Sequence, residues 1–162
     1  MRRDIRILLL LALMFAAVSP ARAADVAALQ QLLDEWGAAW TAQDPNRLLR
    51  VFTDDVVYED VTFGAVNKGQ DALRKFATDF FDAFPGNAFE VKSRFVSGDG
   101  KWGSVEWLWR GRQTKDVPGL PATNTAFELR GASVMEFRDG KISRNSDYWD
   151  LETLRKRVGL KK

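Results

Sequence analysis

The sequence predicts an α+β fold: a cone-like curved, mainly antiparallel sheet, with three helices from the N-terminal half packed on its concave face and a short C-terminal helix. Three observations carry that expectation. Apolar residues recur at helical spacing through the first half of the chain, and from Ala88 onward the pattern switches to period two. Turns bearing Gly or Pro separate the period-two runs at hairpin intervals. Helices first and strands after is the order of an α+β layout.

The chain opens on a basic stretch, MRRDIR, followed by the apolar run ILLLLALMFAAV and by SPARA, which ends in Ala21-Arg22-Ala23. Basic, apolar and small-residue parts in that order make a secretory leader. A membrane span needs roughly 20 apolar residues, and this run falls short of that. Cleavage after Ala23 is expected, so that residues 1–23 are the leader and residues 24–162 form one domain, periplasmic or secreted and free of the membrane.

From Asp25 the residues Val26, Leu29, Leu32, Leu33, Trp36 and Trp40 lie on one helical face, which predicts a helix ending near Thr41. Asp44 is placed to cap a second, short helix with Pro45 at its first position, running to about Phe52. VVYEDV predicts a strand. Beyond Gly64 and Gly69 a third helix spans Gln70 to Phe84, with Leu73, Phe76, Ala77, Phe80 and Phe84 as its apolar stripe and Pro85-Gly86 as its stop. Phe81 falls off that stripe and is free to face a lid or a partner. Four strands follow, AFEVKSRFVS, KWGSVEWLWRGRQ, TAFELRGASVMEF and KISRNSDYW, as an antiparallel meander. The loop TKDVPGLPATN is either a semi-rigid flap or a long hairpin connection. Asp150 caps a last helix that Gly159 terminates.

The full chain carries 24 basic and 22 acidic residues, a formal charge of +2. Removing the leader takes away four Arg against one Asp and leaves a mature charge near −1. No basic stripe interleaved with aromatics remains, so no nucleic-acid partner is expected. There is no Cys and no His. Disulfides, thiolate chemistry, a Ser-His-Asp relay and His-ligated zinc are therefore excluded, and no metal or cofactor is implied. Proton transfer falls to carboxylates, Tyr, Lys and Arg.

Asp147 stands beside Trp149, where an aromatic pocket would desolvate its charge and raise its pKa; the alternative is an ion pair with Arg130 or Arg144. Asp150 is a second carboxylate, placed equally well as a helix cap. In YEDVTFG, strict alternation puts Tyr58 and Asp60 on one face, at a pocket mouth, as a pair to polarise a carbonyl; Asp60 could equally only fix the loop at Gly64. In SVEWLWRG, Val105, Trp107 and Trp109 share one face and Glu106, Leu108 and Arg110 the other. Either the Trp face walls the pocket, or it is a dimer patch with Glu106 and Arg110 inside. Trp36 and Trp40, one turn apart, are core or pocket lining. Arg110 with Asp60 and Asp147 would make the two-carboxylate, one-Arg set of an epoxide-opening hydrolase.

The segments WGAAWTAQDPNRLLRVFTDDVVYEDVTFGAVNKGQDALRKF, SVEWLWRG and ELRGASVMEFRDGKISRNSDYWDLETL resemble, in order and spacing, the SnoaL-like polyketide cyclases (ester cyclases) of the nuclear transport factor two-like superfamily. The resemblance implies the cone fold and an acid/base Asp near the last strand, which removes a proton beside a carbonyl and returns one to the aldol oxygen. The match falls on DYWD, making Asp147 the first candidate and Asp150 the second. The function expected is cofactor-free aldol cyclisation or isomerisation of a small hydrophobic or polycyclic carbonyl compound, in a homodimer. The alternative is a non-catalytic module that binds a ligand or scaffolds a partner outside the cytoplasm.

Overall fold

The structure, a computed structural model, describes residues 20–160, with side chains from Asp25 onward. Most of the expected leader, residues 1–19, lies outside the described residues. Among the described residues the order is α1 (Pro20–Ala42), α2 (Pro45–Leu49), β1 (Phe52–Asp60), β2 (Ala65–Lys68), α3 (Gly69–Ala83), β3 (Ala88–Val96), β4 (Trp102–Arg112), β5 (Ala126–Arg138), β6 (Lys141–Trp149) and α4 (Leu151–Arg157). The α+β expectation holds. Two details differ from it. The short helix stops at Leu49 and the first strand begins at Phe52, because Phe52 pairs with Ile142 on β6, whose amide donates to the Val51 carbonyl. The stretch between Gly64 and Gly69 is a strand, β2, which forms a hairpin with β1.

The strands make one six-stranded sheet in the order β2-β1-β6-β5-β4-β3. β3 to β6 form the expected meander, whereas β1 lies parallel to β6, so the sheet is mixed. That parallel pairing joins the two ends of the domain in space and sets Asp60 opposite Asp147. Register breaks in β3, in β1 and at the β5–β6 end bend the strands, as bulges do, and the sheet curves without closing.

α1 packs on the β3 edge and α3 on β1 near the other edge, so the two helices face each other across the concave side. Gly37 permits the first contact: a Cβ there would lie 2.7 Å from Val91 Cγ2. Gln43 ties the helices together, donating to the Phe84 carbonyl (3.0 Å) and accepting from the Gly86 amide (2.8 Å). Leu33, Trp36, Phe52, Leu73, Phe84 and Ile142 are fully buried between the layers. Phe81 is also buried, its ring 5.5 Å from Trp40, and faces neither a lid nor a partner: Trp40 from α1 reaches across to the flank of α3 that the apolar stripe misses.

Candidate active site

Alternation along three neighbouring strands brings polar side chains to one place in an otherwise apolar interior. On β6, Asn145, Asp147 and Trp149 share the inward face; on β1, Tyr58 and Asp60 do. On β5, Ser133 lies directly opposite Asp147. Ser133, Asp147 and Asp60 thus form one row across three strands.

Asp147 is 7% exposed and accepts three hydrogen bonds. Ser133 Oγ donates to Oδ1 at 2.5 Å, Asn145 Nδ2 donates to the same oxygen at 2.6 Å, and the Tyr58 hydroxyl donates to Oδ2. Trp107 Nε1 in turn donates to Ser133 Oγ at 2.9 Å, which aims the Ser133 hydrogen at the carboxylate. The Trp107 ring lies over Gly131, where a Cβ would sit 2.0 Å from the indole, so only glycine leaves room for it. Burial pushes the Asp147 carboxyl up to about 6, against the three donors that lower it, with the Asp60 charge adding a smaller push upward. Tyr58 is pushed well above its ordinary value by burial and by the Asp147 charge, and stays a neutral donor.

Asp60 takes the loop-fixing reading of its sequence position, and it also reaches the site as an acceptor; it forms no carbonyl-polarising pair with Tyr58, whose hydroxyl is given to Asp147. Its Oδ1 accepts from the Phe63 amide (2.9 Å), which ties down the β1–β2 turn, and its Oδ2 accepts from Trp149 Nε1 (3.1 Å) at the site. It is 6% exposed, and burial raises its pKa against those two hydrogen bonds.

Around the two carboxylates the lining is aromatic: Trp36 and Trp40 from α1, Phe76 and Phe80 from α3, Phe89 from β3, Trp107 and Trp109 from β4, and Trp149. Among the described residues, no Lys or Arg is in it. The space left among these rings is about 20 Å3, enough for about one water. Chemically, the arrangement is a carboxylate titrating near neutrality, held by neutral donors in an apolar cavity, which can take and return a proton.

Residues 30–158 match the model of the SnoaL-like polyketide cyclase family. The chain belongs to that family. No curated protein sequence matches it. Solved structures do: a candidate polyketide cyclase from Xanthomonas campestris superposes with a TM-score of 0.75 at 20% identity, over 83% of this chain and 98% of that one. Another from Pseudomonas putida gives 0.71 at 22% identity, over 80% and 97%. A protein of ketosteroid isomerase-like fold from Catenulispora acidiphila, solved in complex with trimethylamine, gives 0.70 at 23% identity, over 81% and 94%. At such identities the likeness is one of fold.

Among the residues singled out from sequence, this SnoaL-like structure brings Asp147, Asp60, Tyr58, Trp36, Trp40 and Trp107 to one cavity. Three others are elsewhere. Asp150 is an exposed helix cap: its side chain accepts from the amides of Glu152 and Thr153 and from Thr153 Oγ1, which hold its pKa low. Glu106 and Arg110 point to the convex face, because the Trp face of β4 turns inward. There Glu106 pairs with Arg130, and Arg110 with Glu90 and Glu128. The epoxide-opening set is therefore not assembled. The ion-pair alternative for Asp147 also fails, since Arg130 is taken by Glu106 and Arg144 by Glu59 on that same outer face. Ser133 and Asn145 were not singled out. Asn145, two residues before Asp147, carried a period-two signal; Ser133 carried none, as only the β5–β6 register places it.

Proposed function

We propose that the chain is a cofactor-free acid/base catalyst acting on a small hydrophobic carbonyl compound, by isomerisation or intramolecular aldol cyclisation. One observation carries this: a buried carboxylate raised to about 6, paired with no cation among the described residues, in an aromatic cavity. The Asp147 carboxylate takes a proton from the carbon beside the carbonyl, leaving an enolate. That carbon then attacks a second carbonyl of the same molecule, or is reprotonated elsewhere, and Asp147 returns the proton to the new alkoxide or to carbon. Substrate and product are isomers, so no redox partner is required. The indole N–H groups of Trp36 and Trp40 have no acceptor among the described residues and are the donors proposed for the enolate oxygen. Hydrogen–deuterium exchange at the α-carbon of β-tetralone, followed by NMR, tests the first step without knowledge of the natural substrate. Wild type accelerates the exchange, and Asp147→Asn lowers the rate roughly 10²- to 10⁴-fold. Equal exchange by both proteins sinks the reading.

A second reading has its own observation: a cavity of aromatic rings and two buried carboxylates, with no basic residue among the described ones, suits a small alkylammonium ion. A calorimetric titration with trimethylamine separates the two. Binding that tightens as pH rises through about 6, without any exchange activity, favours a non-catalytic binding module.

Two further proposals concern the whole protein. The leader pattern of residues 1–23 supports an exported protein, which the N-terminal sequence of the protein recovered from its native host tests. Exposed Phe95, Trp102, Val134 and Tyr148 on the convex sheet face suit a homodimer interface.

A further inference from the structure

A second cavity of about 250 Å3 lies outside the first and shares two walls with it, Phe76 and Phe80. Its other sides are Phe63 from the β1–β2 turn, Ala65 from β2, Phe84 from the end of α3, and Val117 and Pro118 from the β4–β5 loop. The charged group at its rim, Asp79, is engaged by Lys75 at 2.6 Å, so the lining offers apolar surface. The wall residues are placed to communicate. Phe76 lies 5.4 Å from Tyr58, the donor to Asp147, while Phe80 lies 5.4 Å from Trp40 and 5.3 Å from Trp109. Both rings are half-buried, packed against the core on one side and facing the outer space on the other.

The loop wall is pinned. Val117 and Leu120 exchange backbone hydrogen bonds across a tight turn with Gly119 at φ 74°, and the buried Gln113 side chain donates to the carbonyls of Lys115 (2.9 Å) and Leu120 (2.7 Å). Arg155 from α4 donates to the Gly119 carbonyl at 2.9 Å. The outer cavity is thus built into the fold, and the loop forms a held wall, not a loose flap.

Small-molecule sites measure roughly 300–1,000 Å3. The inner cavity, at about 20 Å3, is far below that range, and the outer one, at about 250 Å3, lies close to it. We infer that the two are one bipartite site: the outer cavity binds the apolar body of the substrate, and its compact carbonyl head reaches Asp147 when the half-buried Phe76 and Phe80 rings, whose centroids lie 6.4 Å apart, turn aside and open the inner space to it. The substrate class is an amphipath with one small oxygenated end and an extended apolar remainder. This inference rests on the acid/base reading for the role of the head; the outer cavity stands on its own geometry.

Straight-chain methyl ketones of four to ten carbons, titrated by calorimetry into the mature protein, test it. Affinity rises about fourfold per added methylene over the length the outer cavity accepts. Val117→Trp fills that cavity and weakens the longest ketone roughly tenfold or more, leaving the shortest unchanged. Ala65→Phe fills the same space from β2 and does the same, which guards against a misfolded variant. Affinity independent of chain length, equal losses for short and long ketones in both variants, or no binding of any ketone overturns the bipartite site. If chain-length dependence survives while Asp147→Asn leaves α-carbon exchange unchanged, the bipartite site stands and the catalytic reading falls.

Discussion

At the scale of the residue, Asp147 shows how a carboxylate is tuned by competing environments. Burial raises its pKa from 3.8 to about 6, a shift that corresponds to about 3 kcal/mol held against the charged form. Between about pH 4 and 6 the folded protein therefore holds a proton at this site that the unfolded chain has lost, and the contribution to stability falls as pH rises through that window. Chemical denaturation of wild type and Asp147→Asn from pH 4 to 7 checks the sign: the stability of wild type relative to the variant declines by up to about 3 kcal/mol and is flat above pH 6. Tyr58→Phe removes one of the donors that hold the pKa down. The rising limb of the rate profile for α-carbon exchange then moves to higher pH than in wild type, and an unmoved limb would show that Tyr58 does not tune the base. Tyr58 and Asp60 were legible because period-two alternation names the residues that share a face, and Asp147 because it stands beside Trp149 in the DYWD segment that carries the family resemblance. Ser133 was not, since nothing in the local sequence states which strand lies beside β6.

At the scale of the element, caps and turns were written locally and emerged where expected. Asp44 and Asp150 each accept from two amides of the helices they open. Asp150→Ala removes such a cap and lowers the melting temperature by a few degrees while exchange activity stays at the wild-type level; a lost activity would restore Asp150 as a catalytic residue. β2 was missed because four residues, Ala65 to Lys68, carry too little alternation to stand apart from a turn. Its pairing with β1 supplies the evidence that its own side chains lack. β4 posed the opposite difficulty: its alternation was clear but its direction was not. Both faces offered a workable set, Trp107 with Trp109 or Glu106 with Arg110. Burying an aromatic face and leaving charged groups in water resolves it, since the reverse would bury Glu106 and Arg110 and expose two indoles.

At the scale of the whole molecule, the convex face of the sheet carries Phe95, Val134 and, one register row away, Tyr148 among small residues such as Ser104, Ala132 and Ser146. Val134↔Ser146 and Phe95↔Ser104 pairs align them across four strands. If the proposed interface holds, sedimentation of residues 24–162 is expected to report a dimer at micromolar concentration, and Val134→Arg to convert it to a monomer by placing a charge at the centre of the patch. A monomeric wild type rejects the proposed interface. The concave face is committed to the helices and the cavity, so a symmetric contact has the outer face available to it.

The sequence by itself determined the elements that depend on short-range order: the amphipathic helices, the capped termini, the four-strand meander, the absence of thiol and imidazole chemistry, and Asp147 as the carboxylate to watch. The tertiary structure alone decided the parallel β1–β6 pairing, the inward turn of the Trp107 face, the Ser133 and Asn145 donors, and the small inner cavity beside a larger outer one. The physical reason is distance along the chain. Helical and strand periodicity arise from neighbours a few residues apart, whereas Tyr58 meets Asp147 across 89 residues, through a register that the packing of the whole sheet selects.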